Sequence, residues 1–522
     1  MIDGINWSTG GIGEWATLRA FYSGNRVALI EGDRRITFTE FDRRTDQLAR
    51  ALRTMGVREG DRVAVLMVNS VAFLETMFAT AKLGAVFVPI NFRLAAPEVA
   101  YLLADSGAVV FAWSGKLSDV ARAAVADESV TMPARVVVEG EPAAGEADFE
   151  QVLANCEPGG LDVDVPGSSV ACLMYTSGTT GRPKGAMLTH DNLLWNVING
   201  LSFGRGLREG DRTVTVAPMF HIGGLGVHTI PLLYIGGTSV IVESFDPRAA
   251  LEAMASERAT VQFLVPAMWA ALMAVPDFDS HDLSSLELAV TGGAPCPLPV
   301  LEFFMGKGVP FQEGFGMTET APSVTILDAD HVKEKTGTIG RPVFHVRTRI
   351  VDDDDRDVPV DQVGELVVRG PNVFAGYWGL PDATAEAFRS GWFHTGDLGR
   401  VDSEGYITLV DRKKDMIISG GENVYPIEVE QVLCRHPAIR EVAVVGIPHD
   451  RWGETPIAVA ALHDGEQVAD DELIAYVRER MAHFKCPTRV EFVRELPRNA
   501  TGKVLKTTLR AQFGGHGGAV RR

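Results

Sequence analysis

Eleven consecutive residues, Tyr175-Thr176-Ser177-Gly178-Thr179-Thr180-Gly181-Arg182-Pro183-Lys184-Gly185, combine hydroxyls, glycines and two cations. Such a loop offers many O–H and N–H donors on a slim backbone, which suits a polyphosphate. Val170 to Met174 before it reads as a buried strand. Leu188 to Leu194 after it reads as a helix entry with Thr189 or Asp191 as N-cap, so a loop between strand and helix is predicted. It is not a Walker A loop, because Pro183 separates Gly181 from Lys184. An ordinary polar loop has the same composition, so other segments must decide.

Those segments follow in order. Pro218-Met219-Phe220-His221-Ile222-Gly223-Gly224 breaks a strand, and Thr291-Gly292-Gly293-Ala294-Pro295 ends another. Glu313-Gly314-Phe315-Gly316-Met317-Thr318-Glu319 follows a further short strand. Later come Thr395-Gly396-Asp397, Asp411-Arg412-Lys413-Lys414-Asp415, Ser419-Gly420-Gly421-Glu422-Asn423 and Asn499-Ala500-Thr501-Gly502-Lys503. The run Asp352-Asp353-Asp354-Asp355 reads as a solvated hairpin turn, with a metal site as the alternative.

The elements that hold these segments follow from hydrophobic period. Residues 27–36 predict a hairpin, and Thr37-Phe38-Thr39-Glu40 a capping box that opens a helix ending at Gly56. Strands at 62–67, 85–89 and 108–112 alternate with helices near 71–83 and 96–106, which implies a parallel sheet covered on both faces. The alternation resumes through 213–217, 237–242, 259–265 and 286–290. Short β segments at 346–351, 364–369 and 406–410 suggest a small β subdomain. Beyond it, a helix opens at Tyr425-Pro426 and strands at 440–447 and 457–462 precede a helix at 470–482. The predicted fold is α/β: a large N-terminal domain (1–410) of doubly wound sheets plus the β subdomain, and a small mobile α+β C-terminal domain (411–522).

The chain has 522 residues, 46% apolar and 22% charged, ordinary for a globular enzyme. Its net charge of −19 argues against a nucleic-acid-coating protein. Residues 411–522 carry 17 Lys/Arg against 16 Asp/Glu, net +1; the remaining 32 against 52 leave −20 on residues 1–410. Cys156, Cys172, Cys296, Cys434 and Cys486 are scattered without a CxxC, as reduced thiols of a cytoplasmic protein would be. No signal peptide is evident, and no apolar run reaches membrane-spanning length, which is compatible with a peripheral membrane contact at most.

Taken together and in this order, the loops resemble the adenylate-forming superfamily, which comprises acyl-CoA synthetases, amino-acid adenylation domains and luciferases. The resemblance covers roughly residues 20 to 510. It implies that a carboxylate attacks the α-phosphate of ATP to give an acyl-adenylate and pyrophosphate, and that a thiol then displaces AMP. Thr176, Ser177, Gly178, Thr179, Thr180, Gly181 and Lys184 would hold the β- and γ-phosphates. Thr318 would contact the α-phosphate, and Glu319, with Thr176, would hold Mg²⁺. Gly293, Ala294 and Pro295 would wall the adenine pocket beside Glu313, Gly314, Gly316 and Met317. Phe315 would stack on the base, where most relatives have Tyr. Asp397 would accept the ribose hydroxyls with help from Arg412. Lys503 would reach the α-phosphate, Asp411 would be the hinge, and Gly420 and Gly421 would let backbone approach the pantetheine of CoA. His221 would sit between carboxylate and thiol. Each has a bland reading: Glu319 and Lys503 as surface charges, Asp397 as a turn former, His221 as a core histidine.

Within the superfamily, His221 stands where amino-acid adenylation domains usually carry an Asp, and no carrier domain follows, which favours a stand-alone acyl-CoA synthetase. The short connection from Gly340 to Gly364 argues against the insertion typical of fatty acyl-AMP ligases. The acid pocket is expected along 219–228, 291–296 and 313–324. Gly223, Gly224 and Gly226 would leave room for a long or bulky acid, and Trp195, Leu225, Val227 and Val324 would line it, with His228 as a polar exception. No Arg in these segments could pair a second carboxylate. The leading expectation is a medium- or long-chain fatty acid, with an aromatic acid, or delivery to a carrier-protein thiol, as alternatives. A homodimer is expected from relatives, and a nucleotide-binding protein without catalysis is the reading from another class.

Overall fold

The computed structural model describes residues 10–131, 134–161, 163–176, 182–202, 204–294, 296–413, 415–419, 422–449, 451–498 and 504–514. The architecture is the expected one: a large mixed α/β part with several sheets and a smaller α+β part. The chain divides into two compact units, Met1–Thr348 with Val368–Phe393, and Arg349–Val367 with His394–Arg522.

The first unit is built on three sheets. A seven-stranded sheet runs Ala147–Asp148, Ala134–Val138, Val110–Ser114, Arg62–Leu66, Val86–Pro89, Val170–Thr176, Lys184–Thr189. Its pairs are parallel except the last, which is antiparallel with Thr176 opposite Lys184. The central strands are apolar throughout because helices cover both faces; Val63 to Leu66 are fully buried. The N-cap half of the expected box forms: the Thr37 hydroxyl accepts from the Glu40 N–H at 3.2 Å and opens helix Phe38–Thr54.

A four-stranded sheet orders Arg212–Thr215, Thr238–Ile241, Val27–Glu31 and Arg34–Thr37. A five-stranded sheet orders Val261–Leu264, Leu288–Gly292, Phe311–Gly316, Ser323–Leu327 and Arg341–Pro342.

The polar loop does not join a strand to a helix. Lys184–Thr189 is itself a strand, so the loop closes a β-hairpin. The helix starts only at His190, with the Thr189 hydroxyl accepting from the Asn192 N–H at 3.1 Å. Strand Lys184–Thr189 thus stands between the loop and helix His190–Gly200.

The second unit holds a four-stranded sheet (Arg347–Val351, Gly364–Arg369, Phe393–Val401, Ile407–Arg412), its last pair antiparallel, and a five-stranded sheet centred on Ile439–His449 and Gly453–Leu462. Side chains alternate across the latter pair. Val442, Val444, Ala458 and Ala460 pack with Val429, Leu433 and Leu473, while Ala443, Val445, Ile457 and Val459 pack with Leu496 and Leu509. The units divide differently from the 410/411 boundary, because the small β sheet groups with the C-terminal residues. Asp411 explains part of this: its carboxylate accepts from the Ile427 N–H at 3.1 Å, tying strand Ile407–Arg412 to helix Pro426–Leu433.

Candidate active site

The hairpin places Thr176 and Lys184 side by side, with the Thr176 hydroxyl 3.5 Å from the Lys184 carbonyl. Ser177, Gly178, Thr179, Thr180 and Gly181 lie outside the described residues, as do Pro295, Gly420, Gly421 and Lys503. The loop's base is anchored by the Tyr175 O–H, which donates to Asp105 at 2.6 Å. The Lys184 ammonium lies 5.1 Å from the centre of the Tyr377 ring, and the Tyr377 O–H donates to Glu319 Oε1 at 3.0 Å. One aromatic side chain thus links the loop lysine to the expected Mg²⁺ ligand. Backbone pairing delivers it: Met187 N–H donates to Gly376, Ala375 N–H to Met187, and Trp378 N–H to Gly185. Sequence reasoning missed Tyr377. Its only signal is an aromatic pair, Tyr377-Trp378, flanked by glycines at 376 and 379.

The Glu313–Glu319 segment begins within strand Phe311–Gly316. Its glycines answer to crowding. A Cβ at Gly316 would stand 1.7 Å from the Pro322 carbonyl oxygen, and one at Gly292 would stand 2.7 Å from that of Gly314, its partner in register. The Met317 N–H donates to both the Pro322 carbonyl and the Thr320 hydroxyl at 3.1 Å. Buried Asn372 donates to the carbonyls of Thr320 (2.6 Å) and Ser323 (2.7 Å), and the Phe374 N–H donates to that of Glu319 (2.9 Å). Thr318, Glu319 and Phe315 are held half-buried at the rim of this turn. Gly293, with φ +85°, and Ala294 are exposed at the end of the neighbouring strand. Glu313 is buried and accepts from the Cys296 N–H at 3.1 Å; burial pushes its carboxyl up to about 7.

His221 caps the short helix Ile222–Gly224, its ring 4.6 Å from that of Phe220. The glycines after it do not all open space. A Cβ at Gly224 would meet the Pro218 and Ala217 carbonyl oxygens at 2.4 and 2.7 Å, and one at Gly226 the Pro322 ring at 2.9 Å. The chain's own atoms fill those positions, so they cannot supply the room expected for a long acid. A Cβ at Gly223 would meet only a side chain, Phe263, at 3.3 Å, while one at Gly226 would also meet Ile222 at 3.2 Å. Leu225 and Val324 are fully buried, and Trp195 packs edge-on against His345.

In the second unit, Asp397 and Arg412 are partners in register, and Arg412 Nε lies 2.7 Å from Asp397 Oδ1. The turn before Asp397 is fixed by the Thr395 hydroxyl, which donates to the Leu366 carbonyl at 2.7 Å and accepts from the Asp397 N–H at 3.0 Å. Gly396, at φ +72°, donates to Glu365 at 3.2 Å. The aspartate run is more than a solvated turn. Asp353 pairs with Lys413 at 2.8 Å, and Asp355 lies 3.4 Å from His394. Lys413 and His394 both also reach Glu365, each at 3.3 Å. Asp411 accepts from the N–H of Arg412 (2.7 Å) and of Ile427, and burial raises its carboxyl to about 6.

Thr176 and Glu319 offer oxygen donors, the type Mg²⁺ takes. Among the described residues no three His, Cys, Asp or Glu side chains form a closed metal cage. An ion that completes its shell with phosphate and water oxygens fits this donor set. Among the described residues no helix is long and apolar enough to cross a membrane.

Residues 18–378 match the AMP-binding enzyme family and residues 428–503 the AMP-binding enzyme C-terminal domain. The chain belongs to the adenylate-forming AMP-binding enzymes. It is 46% identical to a feruloyl-CoA synthase of Amycolatopsis over 97% of this chain and 99% of that one. It is 39% identical to an indoleacetate–CoA ligase of Aromatoleum aromaticum over 96% and 97%. Among solved structures, a fatty acyl CoA synthetase of Mycobacterium tuberculosis superposes with TM-score 0.79 at 34% identity, covering 97% of this chain and 98% of that one. The protein is an AMP-forming acid–thiol ligase that uses ATP and Mg²⁺, with CoA as co-substrate.

Proposed function

We propose that the acid is aromatic: the enzyme would convert an aryl or arylalkenoic acid to its adenylate and then to the CoA thioester. The observation that carries this is the Phe263 ring, which borders Gly223 (3.3 Å) and Gly292 (3.7 Å) where side chains would otherwise stand. With the Phe263 face as one wall, the proposed acid slot suits a planar acid, and the chain's own atoms at Gly224 and Gly226 narrow the expected route for a long alkyl chain. The feruloyl and indoleacetate relatives support the reading, since both names denote acids with one aromatic ring system. A fatty acid is the second reading, favoured by the likeness to the fatty acyl CoA synthetase.

The residue roles we propose follow charge. Thr176 and Lys184 steady the β- and γ-phosphates, and Thr318 contacts the α-phosphate that the acid's oxygen attacks. Glu319, oriented by Tyr377, and Thr176 hold Mg²⁺, which when bound offsets phosphate charge. Phe315, Gly293, Ala294 and Glu313 frame the adenine, and Asp397 with Arg412 takes the ribose. Lys503 supplies positive charge at the α-phosphate during adenylation. Withdrawal of Lys503 about Asp411, which makes 411 the functional boundary, then gives CoA access past Gly420 and Gly421, and His221 sits at the meeting of acid and thiol.

The test is a panel of aryl, arylalkenoic and graded alkanoic acids scored by AMP release dependent on both ATP and CoA. Cinnamates outrunning hexadecanoate by tenfold or more in kcat/KM is the expected result; the reverse order overturns the aromatic reading.

A further inference from the structure

His228 lies in a π-helical turn, Leu225–Thr229, two turns beyond His221, and is 3% exposed. Among the described residues neither of its ring nitrogens has a hydrogen-bond partner. A neutral imidazole always carries one N–H donor and one bare acceptor. Leaving both unsatisfied in a protein interior forfeits the hydration of each, and buried polar groups are almost always paired. Burial above all, opposed by Asp211 and aided by Arg205, holds the ring neutral with its pKa lowered to about 3, so no charge on the ring offsets the cost. Neighbouring polar groups are already engaged: the Thr229 hydroxyl donates to the Gly224 carbonyl at 2.8 Å and meets the Thr215 hydroxyl at 2.9 Å.

The ring faces a cavity of about 10 Å³, bordered by Thr213, Thr215, Gly223, Gly224 and Phe263. That is room for one water-sized polar group. Two of these borders, Gly223 and Phe263, also border the proposed acid slot. The cavity therefore adjoins the Phe263 ring and Gly223, beside the place proposed for the acid.

We propose that His228 is a specificity-determining residue: it hydrogen-bonds a single polar substituent, a phenolic O–H or a ring N–H, at the end of an aromatic acid remote from its carboxyl group. The substituent occupies the cavity beside His228 while the ring lies against Phe263. The proposal rests on the aromatic reading above and adds to it the chemistry of the distal end. A site that satisfies a buried donor and acceptor rejects the isosteric apolar substituent strongly, because the imidazole is then left unpaired.

Three acids of nearly one shape test it: 4-hydroxycinnamate, 4-methylcinnamate and cinnamate, compared by kcat/KM in the wild-type enzyme, His228→Leu and His228→Gln. The wild type is expected to favour the hydroxy over the methyl acid by tenfold or more. His228→Leu should bring that ratio to unity or invert it, and His228→Gln, which keeps a donor and an acceptor, should retain a preference. KM for ATP should stay unchanged throughout. A wild-type hydroxy-to-methyl ratio within twofold of one overturns the proposal without needing any variant, and so does a ratio that His228→Leu leaves intact. Turnover of hexadecanoate with none of the three aryl acids defeats the aromatic reading itself, and this proposal with it. Turnover of cinnamate and 4-methylcinnamate at equal rates with 4-hydroxycinnamate defeats only the His228 subsite.

Discussion

The turn at Gly316–Glu319 and the turn at Thr395–Asp397 each present an acidic residue, and they are held by different forces. The first is fixed by backbone: strand pairing, glycines with no room for a Cβ, and neutral hydrogen bonds from Met317, Asn372 and Phe374. The second is fixed partly by charge, with Arg412 on Asp397 and Glu365 shared by Gly396, Lys413 and His394. Neutral scaffolds are insensitive to salt, whereas partly exposed ion pairs weaken as screening rises. The first turn should behave as a rigid platform and the second as one tuned by solution conditions.

The largest effect should come from the charged turn. Asp397→Ala is expected to lower kcat/KM for ATP by on the order of 10²–10³, the usual loss when one preorganised polar contact at a reacting nucleotide is removed. A loss under fivefold in ATP-saturation kinetics would show that Asp397 only shapes its turn.

Glu313→Gln probes the neutral side. The carboxyl is raised from 4.5 to about 7 in the folded protein, so below pH 4.5 it is protonated in both states and costs nothing electrostatically. Between 4.5 and 7 the unfolded chain ionises first, and native stability falls as pH rises. At pH 8 Glu313→Gln should therefore be more stable than wild type by up to about 3 kcal/mol, with the difference gone at pH 4, as read by urea unfolding at both pH values. A wild-type stability independent of pH over that window would contradict the assignment.

Tyr377→Phe keeps the ring under Lys184 but removes the hydroxyl on Glu319. The Mg²⁺ concentration for half-maximal adenylation should rise about tenfold, as for other outer partners of metal ligands, with KM for the acid unchanged. Equal changes in both would mark Tyr377 as merely structural. The smallest effect belongs to Lys413→Met: a stability loss below about 1 kcal/mol that shrinks further in 0.5 M salt. A loss that salt does not reduce would break the contrast between the two turns.

Much of this was legible in sequence because it is local. Thr37 with Glu40 and Thr189 with Asn192 announce their helices within four residues, and the buried runs at 62–67 and 85–89 declare a covered parallel sheet. What stayed hidden depends on distant pairing. Lys184–Thr189 mixes Lys, Gly, Ala, Met, Leu and Thr, with no clear period of two, and becomes a strand because Val170–Thr176 and residues 375–378 flank it. Tyr377 meets Glu319 only through that pairing. The glycines at 224 and 226 look like space in a sequence, and only coordinates reveal the carbonyls and the proline that fill it. The strand Phe393–Val401, which carries Asp397, stays hidden because His394, Thr395, Asp397 and Arg400 with two glycines leave it neither an apolar run nor an alternating pattern.

The pairing of residues 375–378 along Lys184–Thr189 has a consequence for self-association. An open β-edge is a template on which a second chain can add a strand. Here the outer flank of Lys184–Thr189 already gives its Met187 amide and its Gly185 and Met187 carbonyls to the same polypeptide. At the opposite border the sheet ends in Ala147–Asp148, two residues long. Among the described residues neither border offers a partner a long run of vacant amides, so fusion of two copies through their seven-stranded sheets is disfavoured. Strand-sharing self-association is thus steered away from this sheet, and with it from the hairpin that carries Thr176 and Lys184.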